Sequence, residues 1–294
     1  VKLGGRLLNG EGDEFLENYG EGAGEKYNTT RDALAHAIYK EVESGRGSPH
    51  GGVFLSFQHI EQTALENALG PALEIFHRNN IDLTKQAVEV YPIAHYQMGG
   101  VEVNTDMETC VPGLYAAGEI AGGANGANRL SGNALPEAMV FGERAGEMAA
   151  KFAAKKSKRR WNKSRAGPHV ERIAGVLGKN AGDGGSPASL YDELKDLMWN
   201  KVGMFRNGKD LTDANMNIRA LRKTELPNLA VSTETIHNSS LVEWFELRNG
   251  LLAAESLTLA ALNRRESRGA HQRDDFPETL DSYQRSQQIT LDNG

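Results

Sequence analysis

Apolar residues along the chain switch between two spacings, and the switches lay out its elements. Leu7 and Leu8 stand between Gly and Asn turn residues, so Leu3–Gly12 is expected as a strand–turn–strand. From Asp32 to Glu43, Ala33, Leu34, Ala37, Ile38 and Val42 recur at helical spacing, with Thr30 as the N-cap. Gly45–Gly52 is a loop, and Val53–Phe57 alternates as a strand does. Gln62–Ile81 holds one or two helices around Gly70-Pro71. Leu114–Ala117 has the small apolar run of a short buried strand stopped by Gly118. Leu135–Phe152 has the length and apolar content of a long amphipathic or buried helix. Pro168 and the run 182–187 mark a loop or linker. Helices dominate from Leu190 onward, most clearly in Ala-rich Leu247–Leu262.

Composition narrows the class. The chain has 294 residues, enough for about two domains. Its 33 glycines make up about 11%, against a usual ~7%. No apolar run is long enough to span a membrane, and no charged-then-apolar leader is visible. One cysteine, Cys110, can form neither an intrachain disulfide nor an iron–sulfur cluster alone, and it is expected as a packed thiol. Eight Lys or Arg and no acid occupy residues 151–165. The chain as a whole carries a net charge of −6, and aromatics such as Trp161 are sparse in the run, so a solvated helix end running into a linker is favoured over a nucleic-acid footprint. The expectation is a cytoplasmic globular protein that touches membranes, if at all, through partner subunits.

Three segments between residues 94 and 135 carry the chemistry. Ala94-His95-Tyr96-Gln97-Met98-Gly99-Gly100 sets a histidine before a double glycine, where backbone can approach a flat ligand closely. Pro112-Gly113-Leu114-Tyr115-Ala116-Ala117-Gly118-Glu119 puts a carboxylate at the end of an apolar segment, where it can accept hydrogen bonds from sugar or ribityl hydroxyls. Gly122–Leu135 is a glycine-rich loop that enters a helix near Asn133. A helix start suits an anion, and Arg129 within the loop can pair bidentately with a carboxylate. No Lys-Ser/Thr follows these glycines, which excludes a Walker phosphate loop. Gly20-Glu21-Gly22-Ala23-Gly24 is only a decoy.

Read together, His95-Tyr96-x-Met98-Gly99-Gly100, Pro112–Glu119 and Asn128-Arg129-Leu130-x-Gly132-Asn133 resemble the fumarate reductase/succinate dehydrogenase flavoprotein family, to which L-aspartate oxidase also belongs. Gly4-Gly5-x-Leu7-x-Asn9-x-x-Gly12 and Thr30-Arg31-Asp32 resemble the family's capping domain. Glu266-Ser267-Arg268-Gly269-Ala270-His271-x-Arg273-x-Asp275-x-Pro277 resembles its C-terminal helical domain. The fold class implied is α+β with an all-α portion. Residues 1–93 would be a capping-domain portion, 94–154 the later part of an FAD-binding α/β domain, 155–189 a linker and 190–294 the helical domain.

The resemblance implies FAD as cofactor, a C4 dicarboxylate substrate and an iron–sulfur subunit as candidate partner, with no nucleic acid and no metal site. It implies Arg31 as proton donor, His95 and Arg129 as ligands of one substrate carboxylate, and Gly99, Gly100, Gly118, Glu119, Asn133, Ala134 and Leu135 as cofactor contacts. No G-x-G-x-x-G nucleotide-binding unit is present, so the chain is expected to be the C-terminal portion of a larger enzyme. The family's relay arginine falls at Val1, with Lys2-Leu3 in place of Gly-Glu. Ser267–His271 is expected to fix the helical domain against the capping or FAD domain rather than to do chemistry. Two other readings stay open: an L-aspartate oxidase-like enzyme, and a non-catalytic interaction module.

Overall fold

Short strands and short helices build the first third of the chain, irregular segments follow up to residue 133, and long helices dominate beyond it. The computed structural model describes residues 3–20, 30–156, 163–177, 185–234 and 236–290. The expected departure at Val1 and Lys2, the decoy at 21–24, residues 157–162 of the basic run and 182–184 of the glycine run lie outside the described residues. The chain divides into two compact units, Val1–His95 and Tyr96–Gly294.

In the first unit, β1 (Arg6–Leu8), β2 (Val53–Ser56) and β3 (Val88–Val90) form an antiparallel sheet in that order. Leu7 pairs with Leu55, and Leu55 in turn with Val88. The return from β1 closes on a single bridge, Leu8 to Glu14, rather than a second strand. Helix α1 (Arg31–Glu41) begins at Thr30, whose carbonyl accepts from Leu34 N–H at 3.0 Å. Its Leu34, Ala37 and Ile38 pack with Leu7, Phe15, Leu16 and Val53 in one buried cluster, as their helical spacing requires. Glycine at 45 (φ +82°) turns the chain away after α1. Helices α2 (Gln62–Leu69) and α3 (Pro71–Arg78) meet at Gly70, with Pro71 at the first position of α3, where its missing N–H costs nothing. They bury Leu65 and Leu73 against Phe57 and Leu83.

The base of α1 is locked by a buried acid. Glu41 is fully buried; it accepts from Asn9 Nδ2 at 3.0 Å, Tyr19 OH at 2.7 Å, and Arg46 Nε and Nη2 at 2.8 Å each. The Arg46 bonds, with those from Asn9 and Tyr19, outweigh burial and bring its pKa down to about 2.

The second unit carries α4 (Ala134–Ala154), α5 (Lys163–Leu177), α6 (Pro187–Val202), α7 (Gly208–Ala220) and α8 (Ser239–Asn263). Side-chain oxygens of Ser186, Asn207 and Asn238 cap α6, α7 and α8. Leu247 and Leu251 of α8, Ile218 of α7 and Leu190 and Leu194 of α6 form the main core, closed by Trp244. Two-residue strands β4 (Phe205–Arg206) and β5 (Gln272–Arg273) pair in parallel beside it.

Four local expectations are corrected. Leu114–Ala117 is not a buried strand. Only Tyr115 pairs, in one bridge to Glu108, and Leu114 is 53% exposed; no flanking strand among the described residues completes a sheet over it. Helix α4 has the expected position, but Leu135, Met139 and Val140 stand exposed and Glu137 is its buried residue. Residues 163–177 of the expected linker form α5, because Val176 docks into the core cluster. Cys110 is exposed rather than packed, since its turn rides over the surface. Among the described residues no helix is long and apolar enough to cross a membrane.

Candidate functional site

Arg31 opens α1 in the first unit, with its side chain exposed. Beside it, a hydrogen bond from Thr30 holds the Asp32 carboxyl below the usual carboxylate range. His95, exposed, is the last residue of that unit.

The other expected site residues belong to the second unit. Val101 N–H donates to Ile120 O at 2.7 Å and Gly122 N–H to Val101 O at 3.0 Å, which lays two extended segments side by side. A Cβ on Gly100 would stand 2.3 Å from Ile120 O. Glycine at 100 is therefore required by backbone meeting backbone. Gly99 meets only the Gln97 side chain, at 3.4 Å. Gly118 is buried and adopts φ +73°, and a Cβ there would reach Ala138 of α4 at 3.5 Å. Glu119 is exposed, and its Oε1 accepts from Gln97 N–H at 2.9 Å, so Gly99-Gly100 and Gly118-Glu119 are brought together.

Asn133 precedes α4 without a side-chain cap bond, and Ala134 and Leu135 are its first two residues. The opening N–H groups of a helix have no intrahelical acceptor, and Leu135 is 75% exposed beside them. Positions 123, 126 and 132 in the approaching loop have open space where a Cβ would go.

Arg129 lies in this loop with its guanidinium 4.3 Å from the centroid of the Tyr96 ring. Its Nη1 donates to Leu130 O at 3.2 Å, and its Nε is buried without a partner. Tyr96 OH donates to Glu137 Oε2 at 2.9 Å, and Asn125 Nδ2 donates to the same oxygen at 2.9 Å. Burial, then the Glu137 carboxylate, pushes the Tyr96 hydroxyl above its ordinary pKa. Sequence reasoning did not single out Glu137. An acid in the first turn of a helix reads as dipole compensation, and only its apolar neighbours Leu135, Met139 and Val140 hinted at burial.

The loop is held from the far end of the chain as well. Ala270 N–H donates to Ala127 O at 2.9 Å, while Gly269 (φ +57°) sits so close that a Cβ would lie 2.5 Å from the same oxygen. The Ser267–His271 run therefore meets the Arg129 loop at Ala127 through Gly269 and Ala270. Behind it Glu266, fully buried, pairs with Arg264 and Arg268 at 2.5 and 3.0 Å. His271 Nδ1 takes a hydrogen bond from Arg206 Nη1 at 2.9 Å; burial and that cation bring its pKa down to about 4, so it is a neutral acceptor.

A fumarate reductase flavoprotein C-terminal model matches residues 191–293, and an FAD-binding-domain model matches residues 1–135. A CoM/CoB fumarate reductase subunit of Methanothermobacter marburgensis is 42% identical over 96% of this chain and 50% of its own length. The fumarate reductase flavoprotein subunit of Escherichia coli is 32% identical over 92% of this chain and 47% of its own. The chain belongs to the fumarate reductase/succinate dehydrogenase flavoprotein family. A solved quinol fumarate reductase of E. coli superposes with a TM-score of 0.84 at 30% identity, over 96% of this chain and 51% of that one. The chain spans about half the length of the curated relatives it matches.

Family membership names FAD as the cofactor, and the residues present fit part of it. The uncapped start of α4 offers N–H groups to an electron-rich ring edge, with apolar Leu135 exposed beside them. The exposed Glu119 carboxylate keeps acceptor capacity for hydroxyls beyond its bond to Gln97.

Proposed function

We propose that this chain is the C-terminal portion of an FAD-dependent oxidoreductase that interconverts fumarate and succinate. The observation that carries this reading is Arg129. Its guanidinium lies over the Tyr96 ring, 4.3 Å from the centroid, its Nε is buried without a partner, and no carboxylate among the described residues pairs with it. A cation seated on a ring and left without an acid suits a ligand carboxylate, which it can grip bidentately.

In this reading Arg129 and His95 bind one carboxylate of the C4 dicarboxylate and draw electron density from its double bond. Glu119, Gly99, Gly100, Gly118 and the α4 start at Asn133, Ala134 and Leu135 hold the cofactor, and the positive end of α4 favours negative charge on a ring seated there. The chemistry FAD supplies when bound is hydride exchange at N5. Arg31 delivers the proton to the neighbouring carbon; a guanidinium, so weak an acid, does so only as a relay whose proton is promptly replaced. Electrons enter or leave through a separate iron–sulfur subunit; the relatives' names, which say flavoprotein subunit, support only that the protein is one part of an assembly. The first unit would be the capping portion, with residues 94–154 and 190–294 the FAD-binding and helical portions.

The test uses the full-length, FAD-loaded protein. Fumarate-dependent oxidation of a reduced viologen is expected, falling by about a hundredfold in Arg129→Gln and at least as far in Arg31→Gln. Turnover of L-aspartate with none of fumarate or succinate would overturn the reading, as would an Arg129→Gln variant of unchanged activity.

A further inference from the structure

We propose that Glu137 is a positioning residue for the substrate, acting on Arg129 through the ring of Tyr96. The inference rests on the reading of Arg129 as a carboxylate ligand and adds what holds that ligand in place. Glu137 is 7% exposed, one turn into α4, and a rigid helix fixes its backbone. One oxygen, Oε2, takes both Tyr96 OH and Asn125 Nδ2 at 2.9 Å. Asn125 lies four residues before Arg129 in the same loop, and the Tyr96 ring lies beneath the guanidinium at 4.3 Å. One buried carboxylate therefore ties down both the surface on which Arg129 rests and the loop that carries it.

The hydroxyl bond also acts on the ring itself. A phenol that donates to a carboxylate holds more electron density in its π-face, which strengthens the attraction for a cation stacked on it. Arg129 makes no ion pair among the described residues, and its one hydrogen bond goes to the adjacent Leu130 carbonyl. The guanidinium thus rests on Tyr96, and Tyr96 is held by Glu137. The second oxygen, Oε1, is buried with no partner; Glu137 is not held there by a cation of its own, so its hydrogen bonds to Tyr96 and Asn125 are what it contributes.

The experiment compares Glu137→Leu, Glu137→Gln, Tyr96→Phe, the Tyr96→Phe/Glu137→Leu double variant and Arg129→Lys in the full-length FAD-loaded enzyme. Each variant is read by the KM and kcat for fumarate, by FAD content and by the fumarate dissociation constant from perturbation of the flavin spectrum. Glu137→Leu is expected to raise KM and the dissociation constant about tenfold, with kcat falling less than about threefold and FAD content unchanged. Tyr96→Phe keeps the stacked ring and is expected to raise KM about threefold. The double variant should be no worse than Glu137→Leu, because both changes cut the same link. Glu137→Gln, which still accepts from the tyrosine, should restore most of the affinity. Loss of FAD or of folding in Glu137→Leu, with Tyr96→Phe leaving KM within about 1.5-fold, would overturn the proposal in favour of a structural role; so would full additivity in the double variant. An unchanged KM in Arg129→Lys would instead overturn the reading of Arg129, and the proposal with it.

Discussion

Replacing Gly269 by alanine tests whether the C-terminal run holds the Arg129 loop. The residue sits at φ +57°, a conformation that costs an L-residue about 1–2 kcal/mol. Its new methyl would stand 2.5 Å from Ala127 O, 2.7 Å from Ala127 C and 2.9 Å from Ala127 Cβ, where carbon atoms at rest stay about 3.5–4.0 Å apart. The contact is with backbone, so the two segments must separate and the 2.9 Å bond from Ala270 N–H to Ala127 O is lost, at about 1 kcal/mol net. Strain and the lost bond sum to about 2–3 kcal/mol, which in a unit of this size lowers Tm by roughly 4–12 °C. Differential scanning calorimetry reads the shift. Gly142→Ala in α4 is the control: nothing lies within 4 Å of a Cβ there, and relief of glycine's helix penalty should raise stability by about 0.5–1 kcal/mol. A Gly269→Ala protein melting within about 1 °C of the parent would refute the argument.

Two further expectations concern acid stability. Glu41 has a folded pKa of about 2, below its ordinary 4.5, so the stability it contributes is present above pH ~4.5 and disappears as pH falls toward 2. Glu41→Gln should cost about 2 kcal/mol at pH 7 and almost nothing near pH 2; equal losses in urea melts at both pH values would contradict this. His271 is neutral in the fold with a pKa of about 4 against 6.5 when unfolded, so between pH 6.5 and 4 the unfolded chain takes up a proton that the native state refuses. Stability should fall there by up to about 1.4 kcal/mol per pH unit, and by about half that at a ring partly open to solvent. His271→Gln should flatten this slope, and an unaltered slope would assign the effect elsewhere.

The parts of the fold legible in the sequence are those set by neighbours along the chain. Helices α1 and α8 show their buried faces at helical spacing, and Gly70-Pro71 marks the joint between α2 and α3. Where long-range contact decides, local pattern misleads. Helix α5 hides behind a basic run and Pro168, yet Val176 finds a core formed by residues far along the chain. Leu114–Ala117 has strand composition without strand neighbours. The same division holds at the candidate site. Arg129, Glu119 and the α4 start are announced by motif, whereas Glu137 matters because of Tyr96, 41 positions earlier.

The glycine surplus, read from sequence, points to backbone approaching a flat ligand, and the geometry divides that surplus by purpose. At Gly100 and Gly269 a methyl would strike protein backbone, at Ile120 and Ala127 respectively. These residues build the frame, and their replacement should disturb folding before it disturbs binding. Positions 123, 126 and 132 face open space in the loop that leads from the Val101–Ala121 bridge to α4. Glycine there is explained by backbone at φ +107°, +57° and +96° rather than by packing. The loop is thus tied at two nearby points, Ala127 by the C-terminal run and Asn125 by Glu137, with Gly126 between them and positions 123 and 132 to either side. On the reading proposed above, Arg129, two residues beyond the tie at Ala127, is therefore positioned by residues that need not touch the ligand at all.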